Sequence, residues 1–219
     1  SFALAAALID AGYFRRIVAA TGSHFSSAER QYRYPLELGN TRPPQSQWTV
    51  TGAGGAVVAS EGSRVAITGA TFGKVVDFGI TDVNNMGAAM APAACDTILT
   101  HLNDTGRDAD YYDLIVTGDL GALGSRIVKD LVWEKGVDIQ PNHVDCGEIV
   151  YNVIEDEFQG GSGAGCSAVV FNSYLFDKLR RREINRVLFA ATGALLSTVS
   201  SGQGESIPCI CHAVSIENI

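Results

Sequence analysis

Arg186-Val187-Leu188-Phe189-Ala190-Ala191-Thr192-Gly193-Ala194, near the end of the chain, repeats in kind and order Arg15-Arg16-Ile17-Val18-Ala19-Ala20-Thr21-Gly22-Ser23, near its start. Each stretch reads as a basic residue, a short hydrophobic strand and then Ala-Ala-Thr-Gly. Each follows a helix-like apolar run that ends in a basic turn, at Arg15-Arg16 in one case and Arg180-Arg181-Arg182 in the other. A further strand follows each, near Gly55 to Ala59 and near His212 to Ile216. One strand–helix unit therefore occurs twice, the signature of a duplicated domain.

The second unit is introduced by Gly160-Gly161-Ser162-Gly163-Ala164-Gly165-Cys166-Ser167. Glycine and alanine dominate this turn, so its backbone is free to adopt positive φ and to approach neighbouring atoms closely. Cys166 and Ser167 fall where a helix begins, facing unpaired N–H groups and the positive end of the helix dipole. Such a turn builds an anion pocket or a nucleophile elbow. The first unit begins without this turn, which is expected to lie before Ser1. We therefore read residues 1–62 as the C-terminal part of a truncated first half and residues 63–219 as a complete second half.

The 219 residues are enough for a sizeable core. A hydrophobic content of 46% and a mean hydropathy of +0.12 describe a well-packed globular protein. No apolar run approaches the ~20 residues that span a bilayer, and no charged leader precedes a hydrophobic segment, so direct membrane insertion is not expected. The net charge of −8 and pI near 4.9 argue against nonspecific nucleic-acid binding, which draws on Lys and Arg to neutralise phosphates. Five scattered cysteines suggest reduced thiols rather than a disulfide framework. Cys209-x-Cys211-His212 has a metal-like look but lies in an apolar strand pattern without a second paired cluster, so no metal and no cofactor are expected.

Taken in order, Ser1 to Gly12 reads as an apolar helix buried on all sides. A strand runs from Ile17 to Ala20, and Phe25 to Thr49 reads as a long loop. Strands are expected at Ala56 to Ser60 and Arg64 to Thr68, and a helix at Met86 to Leu102, with Pro92 as a kink or restart. A strand at Leu114 to Thr117 precedes a helix capped by Ser125 and closed by Gly136. Most of Ile139 to Gln159 reads as loop. Strands alternating with helices imply parallel pairing with right-handed crossovers, a layered α/β protein.

Many of these strings resemble one family. Ala28-Glu29-Arg30-Gln31-Tyr32-Arg33-Tyr34-Pro35, Thr49-Val50-Thr51-Gly52, Gly79-Ile80-Thr81-Asp82, Met90-Ala91-Pro92-Ala93-Ala94, Thr117-Gly118-Asp119-Leu120, Asp145-Cys146-Gly147, Ala191 to Ser197 and Glu205 to Ile210 are similar to the stage V sporulation protein AD family. The resemblance spans essentially the whole chain and matches the C-terminal two-thirds of that family. It implies a thiolase-like α/β/α/β/α fold and non-catalytic binding of dipicolinic acid (pyridine-2,6-dicarboxylic acid) for uptake into the developing spore. It also implies membrane-embedded partners from the same operon and a location in the cytoplasm or peripheral on the inner membrane of the developing spore; a homodimer is expected from the incomplete sheet edge of the truncated half. The family's first-elbow cysteine and an acidic pocket residue are expected to lie before Ser1, leaving Ser23 as the best carried-over pocket residue.

In condensing enzymes of this fold, a His follows the second strand of the second half and an Asn sits on the second elbow. The matching positions here are Gly118 and Gly165, neither of which can donate from a side chain. A binding protein that has lost catalysis follows, with no catalytic residue. The alternative is an acyl-transfer enzyme of the β-ketoacyl synthase type with Cys166 as nucleophile; a small buried cysteine at a crowded turn is the plainer reading. Ser23 and His24 end a strand where α/β folds form pockets, although Ser after Thr-Gly is also turn chemistry. Asp119 either lines the same mouth or caps the turn before Ser125, the second being favoured. Arg30 and Arg33 with Tyr32 and Tyr34 either clamp a dicarboxylate or form a dimer contact, with the interface favoured. Gly163-x-Gly165-x-x-Ala168 satisfies a dinucleotide fingerprint, but a polar glycine-rich stretch stands where the leading strand should be. The candidate ligand-binding residues are therefore Ser23, His24, Asp119 and Cys166.

Overall fold

A computed structural model describes residues 1–32, 43–151 and 159–219, with the backbone alone at 29–32. Helix α1 (Phe2–Asp10) leads into β1 (Arg16–Ser23) and α2 (Phe25–Tyr32), and then β2 (Trp48–Thr49), β3 (Gly52–Ala59) and β4 (Val65–Val76). Next come α3 (Met86–Thr105), β5 (Leu114–Thr117), α4 (Gly121–Trp133), β6 (His143–Asp145), α5 (Cys146–Val150) and β7 (Gly161–Ser162). The helix after the glycine-rich turn runs as α6 (Cys166–Val170), a π-helical turn (Phe171–Leu175) and α7 (Phe176–Arg180). The chain ends with β8 (Arg186–Ala194), α8 (Thr198–Gly202) and β9 (Cys209–Asn218).

The repeated segments share an antiparallel partner strand but lie in different sheets. β1 pairs antiparallel with β3, setting Ala20 opposite Gly55 and Thr21 opposite Gly54; β8 pairs antiparallel with β9, setting Ala191 opposite His212 and Thr192 opposite Cys211. Each repeated strand follows a helix; β8 pairs with the next strand in the chain, whereas β1 skips β2, which pairs with β7. The main sheet has the order β4-β9-β8-β5-β6, with β8, β5 and β6 parallel and β9 antiparallel to both of its neighbours. In β8, Val187, Leu188, Phe189 and Ala190 are all buried, so the strand is an unbroken apolar run instead of an alternating one.

Helices cover both faces of that sheet. On one side Ile98 and Leu102 of α3 and Val128 and Val132 of α4 meet Ile115, Leu188, Ala190 and Cys211. On the other, Val170, Phe171, Leu175 and Leu179 of the elbow helix meet Val116, Val187, Phe189, Val214 and Ile216, with Ala3 of α1. Phe2, Phe171 and Phe189 stack edge to face and tilted at 5.1–6.3 Å between ring centres. The β1–β3 ribbon lies beyond this second helix layer, so close to it that a Cβ on Gly54 would stand 2.4 Å from the Ala168 carbonyl oxygen.

Several expectations are corrected. Helix α1 is not enclosed: Ala3 and Ala5 are buried, but Leu4 is 58% exposed. Helix α2 begins within what reads as loop, its polar sequence hiding it. Pro92 restarts nothing, because α3 continues through it to Thr105. Ser125 is no cap but a buried residue inside α4, whose first N–H groups are taken instead by Asp145 Oδ1 at Gly121 and the Gln159 carbonyl at Ala122. The stretch 139–159 holds β6 and α5, with residues 152–158 outside the described ones. Arg33 and Tyr34 also lie outside the described residues, as do the side chains of Arg30 and Tyr32, so the clamp or interface expected there lies outside them too.

Candidate functional site

A cavity of about 520 Å³ opens where the C-terminal ends of β1, β5 and β8 meet the glycine-rich turn. Ser23, His24, Asp119, Ser162, Gly163 and Thr192 supply polar lining, and Met86, Met90, Ala194 and Leu196 supply apolar lining. Strand ends are where an α/β sheet leaves a crevice between diverging loops.

The polar side chains hold the cavity wall together. Ser23 Oγ donates to the Val50 carbonyl at 2.7 Å and accepts from the Gly165 amide at 2.9 Å, tying the end of β1 to the turn before α6. Asp119 Oδ2 accepts from the Gly163 amide at 3.0 Å and Oδ1 from Thr192 Oγ1 at 2.9 Å. Asp119 thus bridges the glycine-rich turn and the end of β8, lining the mouth rather than capping α4. The turn needs its glycines for two separate reasons. Gly163 has a φ of +99°, which L side chains rarely adopt. Gly165 has an ordinary helical φ, but a Cβ there would stand 2.5 Å from Gly52 O and 2.7 Å from Ser23 Oγ. At Gly118 an added Cβ would lie 3.2 Å from the Thr192 amide, a tight fit.

Of the four sequence-derived candidates, Ser23, His24 and Asp119 come together on the cavity, and Cys166 does not line it. Cys166 is fully buried, packed with Val50, Cys146, Val170 and Phe171. Burial first, and then the Asp119 and Asp145 carboxylates, push its thiol far above the ordinary cysteine value, so a thiolate is strongly disfavoured. All five cysteines are buried and free; the thiols of Cys209 and Cys211 are each pushed by burial to about 12. Among the described residues no cluster of three or more His, Cys, Asp or Glu is placed to hold a metal ion.

Behind the cavity wall lies a group that sequence reading misses. Asp145, at the end of β6, is 1% exposed and accepts four hydrogen bonds: from Thr117 Oγ1 at 2.6 Å and from the amides of Leu120, Gly121 and Gly147 at 2.9 Å each. Burial raises its carboxyl to about 7, outweighing those bonds. His143 completes the set, its Nε2 3.1 Å from Thr117 Oγ1 and its Nδ1 3.3 Å from Ser125 Oγ; burial lowers it to about 3, so it is neutral. The string Asp145-Cys146-Gly147 was legible, but nothing local revealed that its aspartate closes the turn carrying Asp119.

The family model for stage V sporulation protein AD matches residues 1–217. The chain belongs to that family. A curated relative, stage V sporulation protein AD of Bacillus subtilis (strain 168), is 51% identical over 215 residues, covering 98% of this chain and 64% of the relative's length. Among solved structures, 3-oxoacyl-[acyl-carrier-protein] synthase III from Aquifex aeolicus VF5 superposes with a TM-score of 0.53 at 11% identity, over 99% of this chain and 62% of that one. A tetronic acid condensing enzyme superposes with a TM-score of 0.56 at 14% identity, over 99% and 64%. These likenesses establish a thiolase-like fold, as the resemblance implies. No described helix is long and apolar enough to cross a membrane.

Proposed function

We propose that this chain forms the ligand-binding part of a non-catalytic spore protein that holds dipicolinic acid in the cavity at Ser23, His24 and Asp119 and serves its uptake into the developing spore. Membership of a sporulation family supplies the context, and the closure of Gly165 is the observation that carries the reading. Condensing chemistry requires a nucleophile and side-chain donors aimed at the developing negative charge. Here Gly165 is sealed by Ser23 and Gly52, Gly118 carries no donor, and the Cys166 thiol is buried with its proton held on. What persists is a cavity whose volume falls in the range of about 300–1,000 Å³ typical of small-molecule sites.

In this proposal the protein works beside membrane-embedded partners of the same operon, as a homodimer, in the cytoplasm or peripheral on the inner membrane of the developing spore. Residues 1–62, whose β1–β3 ribbon stands apart from the main sheet, form part of a first thiolase-like half, and residues 63–219 form the second. The competing reading, acyl transfer through Cys166, draws on the fold shared with condensing enzymes.

Calorimetric titration of the intact protein with dipicolinic acid tests the proposal. Saturable binding is expected, weakened about tenfold in His24→Ala, which corresponds to about 1.4 kcal/mol. No heat of binding up to millimolar ligand would overturn it. So would an acyl adduct on Cys166 seen by mass spectrometry after incubation with acyl-CoA.

A further inference from the structure

We infer that Asp145, although it does not touch the cavity, is the positioning residue that shapes it. Its carboxylate holds the turn Thr117–Gly121 so that Asp119 can bridge the two far walls, and the inference rests on the reading of that cavity as the binding site.

The geometry runs in one direction. Parallel pairing of β5 with β6 sets Thr117 opposite Asp145, placing the carboxylate beneath the turn that leaves β5. Oδ2 takes the Thr117 hydroxyl and the Leu120 amide, and Oδ1 takes the Gly121 and Gly147 amides. The amides on either side of the turn's exit are thus fixed to one buried carboxyl group. Asp119 is the residue between Thr117-Gly118 and Leu120, and its side chain emerges on the opposite side toward Gly163 and Thr192. With both ends of the turn pinned, Asp119 is held where its two oxygens reach two separate segments.

The donors behind Asp145 are matched as well. A neutral His143 protonated on Nε2 donates to Thr117 Oγ1, whose own proton goes to Asp145, while Nδ1 accepts from Ser125 Oγ. This chain, Ser125 to His143 to Thr117 to Asp145, ends on the carboxylate with every proton assigned. Gly147 belongs to the same device, since a Cβ there would stand 2.8 Å from Asp145 Oδ1. A carboxylate surrounded by four donors is not replaced by an amide: asparagine offers one acceptor oxygen and turns an NH₂ toward two of the donors.

Residue-resolved hydrogen exchange on the intact protein tests the inference without ligand. In Asp145→Asn the amides of Leu120, Gly121 and Gly163 are expected to exchange about five- to thirtyfold faster, the factor that one or two kcal/mol represents, while the β8–β9 ladder keeps its rates. Gly163 is the most telling probe, because its amide bonds Asp119 and makes no direct bond to Asp145. Asp119→Ala should speed Gly163 and spare Leu120 and Gly121. Thr117→Val should act like Asp145→Asn but less strongly, with Thr117→Ser restoring the original rates. Wild-type exchange at Gly163 in Asp145→Asn, or uniform acceleration that includes the β8–β9 ladder, would overturn the inference. Should Asp145→Asn not fold, unchanged Leu120 and Gly163 rates in Thr117→Val would overturn it instead. Dipicolinate titration of the wild-type protein tests the binding reading separately, so the two can fail independently.

Discussion

Gly165 stands sealed behind the cavity wall. Its amide donates to Ser23 Oγ, and the space its side chain would fill belongs to Gly52 O and to Ser23. Any side chain there must displace backbone as well as a serine, and overpacking of this kind costs about 1–3 kcal/mol. Gly165→Ala is therefore expected to lower the denaturation midpoint measurably. Adding Ser23→Ala should restore little, because the Gly52 carbonyl remains; wild-type stability in the single variant would contradict the packing. The sequence shows glycine where a donor would be needed, but not that the position is sealed. Ser23 and His24 were legible as lining because they end a strand, where pockets form, whereas Asp119 reads first as a cap and only the tertiary fold brings it to Gly163 and Thr192. Cys166 was the exception: helix starts attract attention, yet its side chain turns into the core.

At the scale of elements, α3 shows how local and tertiary signals combine. Asn85 caps it, with the side chain accepting from the Ala88 amide at 3.3 Å, and Gly106 ends it in the left-handed conformation. Loss of the cap in Asn85→Ala should cost about 1 kcal/mol in chemical denaturation. No change would mean that the packing of Met86, Ala89 and Met90 alone fixes the start of the helix. Apolar segments such as α3 and β8, and the short Leu-Ile-Val run of β5, were legible because burial on one or both faces dictates their composition. Helix α2 was not, since its mean character is polar, and β6 and α5 were not, since three and five residues show no period. Ser125 looked like a cap because serine often is one; Asp145, far away in sequence, had already taken that role.

Across the whole molecule, two buried groups impose opposite pH dependences on stability. Asp145 is raised from 3.8 to about 7, so its contribution is fully present below about pH 3.8 and is lost as pH rises toward 7. His143 is lowered from 6.5 to about 3, so its contribution is fully present above about pH 6.5 and is lost as pH falls toward 3. Between about pH 4 and 6.5 the two slopes oppose each other. His143→Gln should leave the Asp145 slope exposed, with stability falling more steeply from pH 4 to 7 than in the wild type. Parallel profiles for the two proteins would contradict this assignment. The antiparallel pairing shared by the two Ala-Ala-Thr-Gly strands matches what their sequences share, whereas the hydrogen-bonded network behind the cavity joins residues 117 to 147 and leaves no local pattern.

A nuclear magnetic resonance titration of the intact protein with dipicolinic acid tests most directly whether this scaffold holds a small dicarboxylate without transforming it. The amide signals of Ser23, His24, Gly163 and Thr192 are expected to shift together along one saturating curve, with the ligand recovered unchanged. Shifts confined to other surfaces, or none at millimolar ligand, would contradict it.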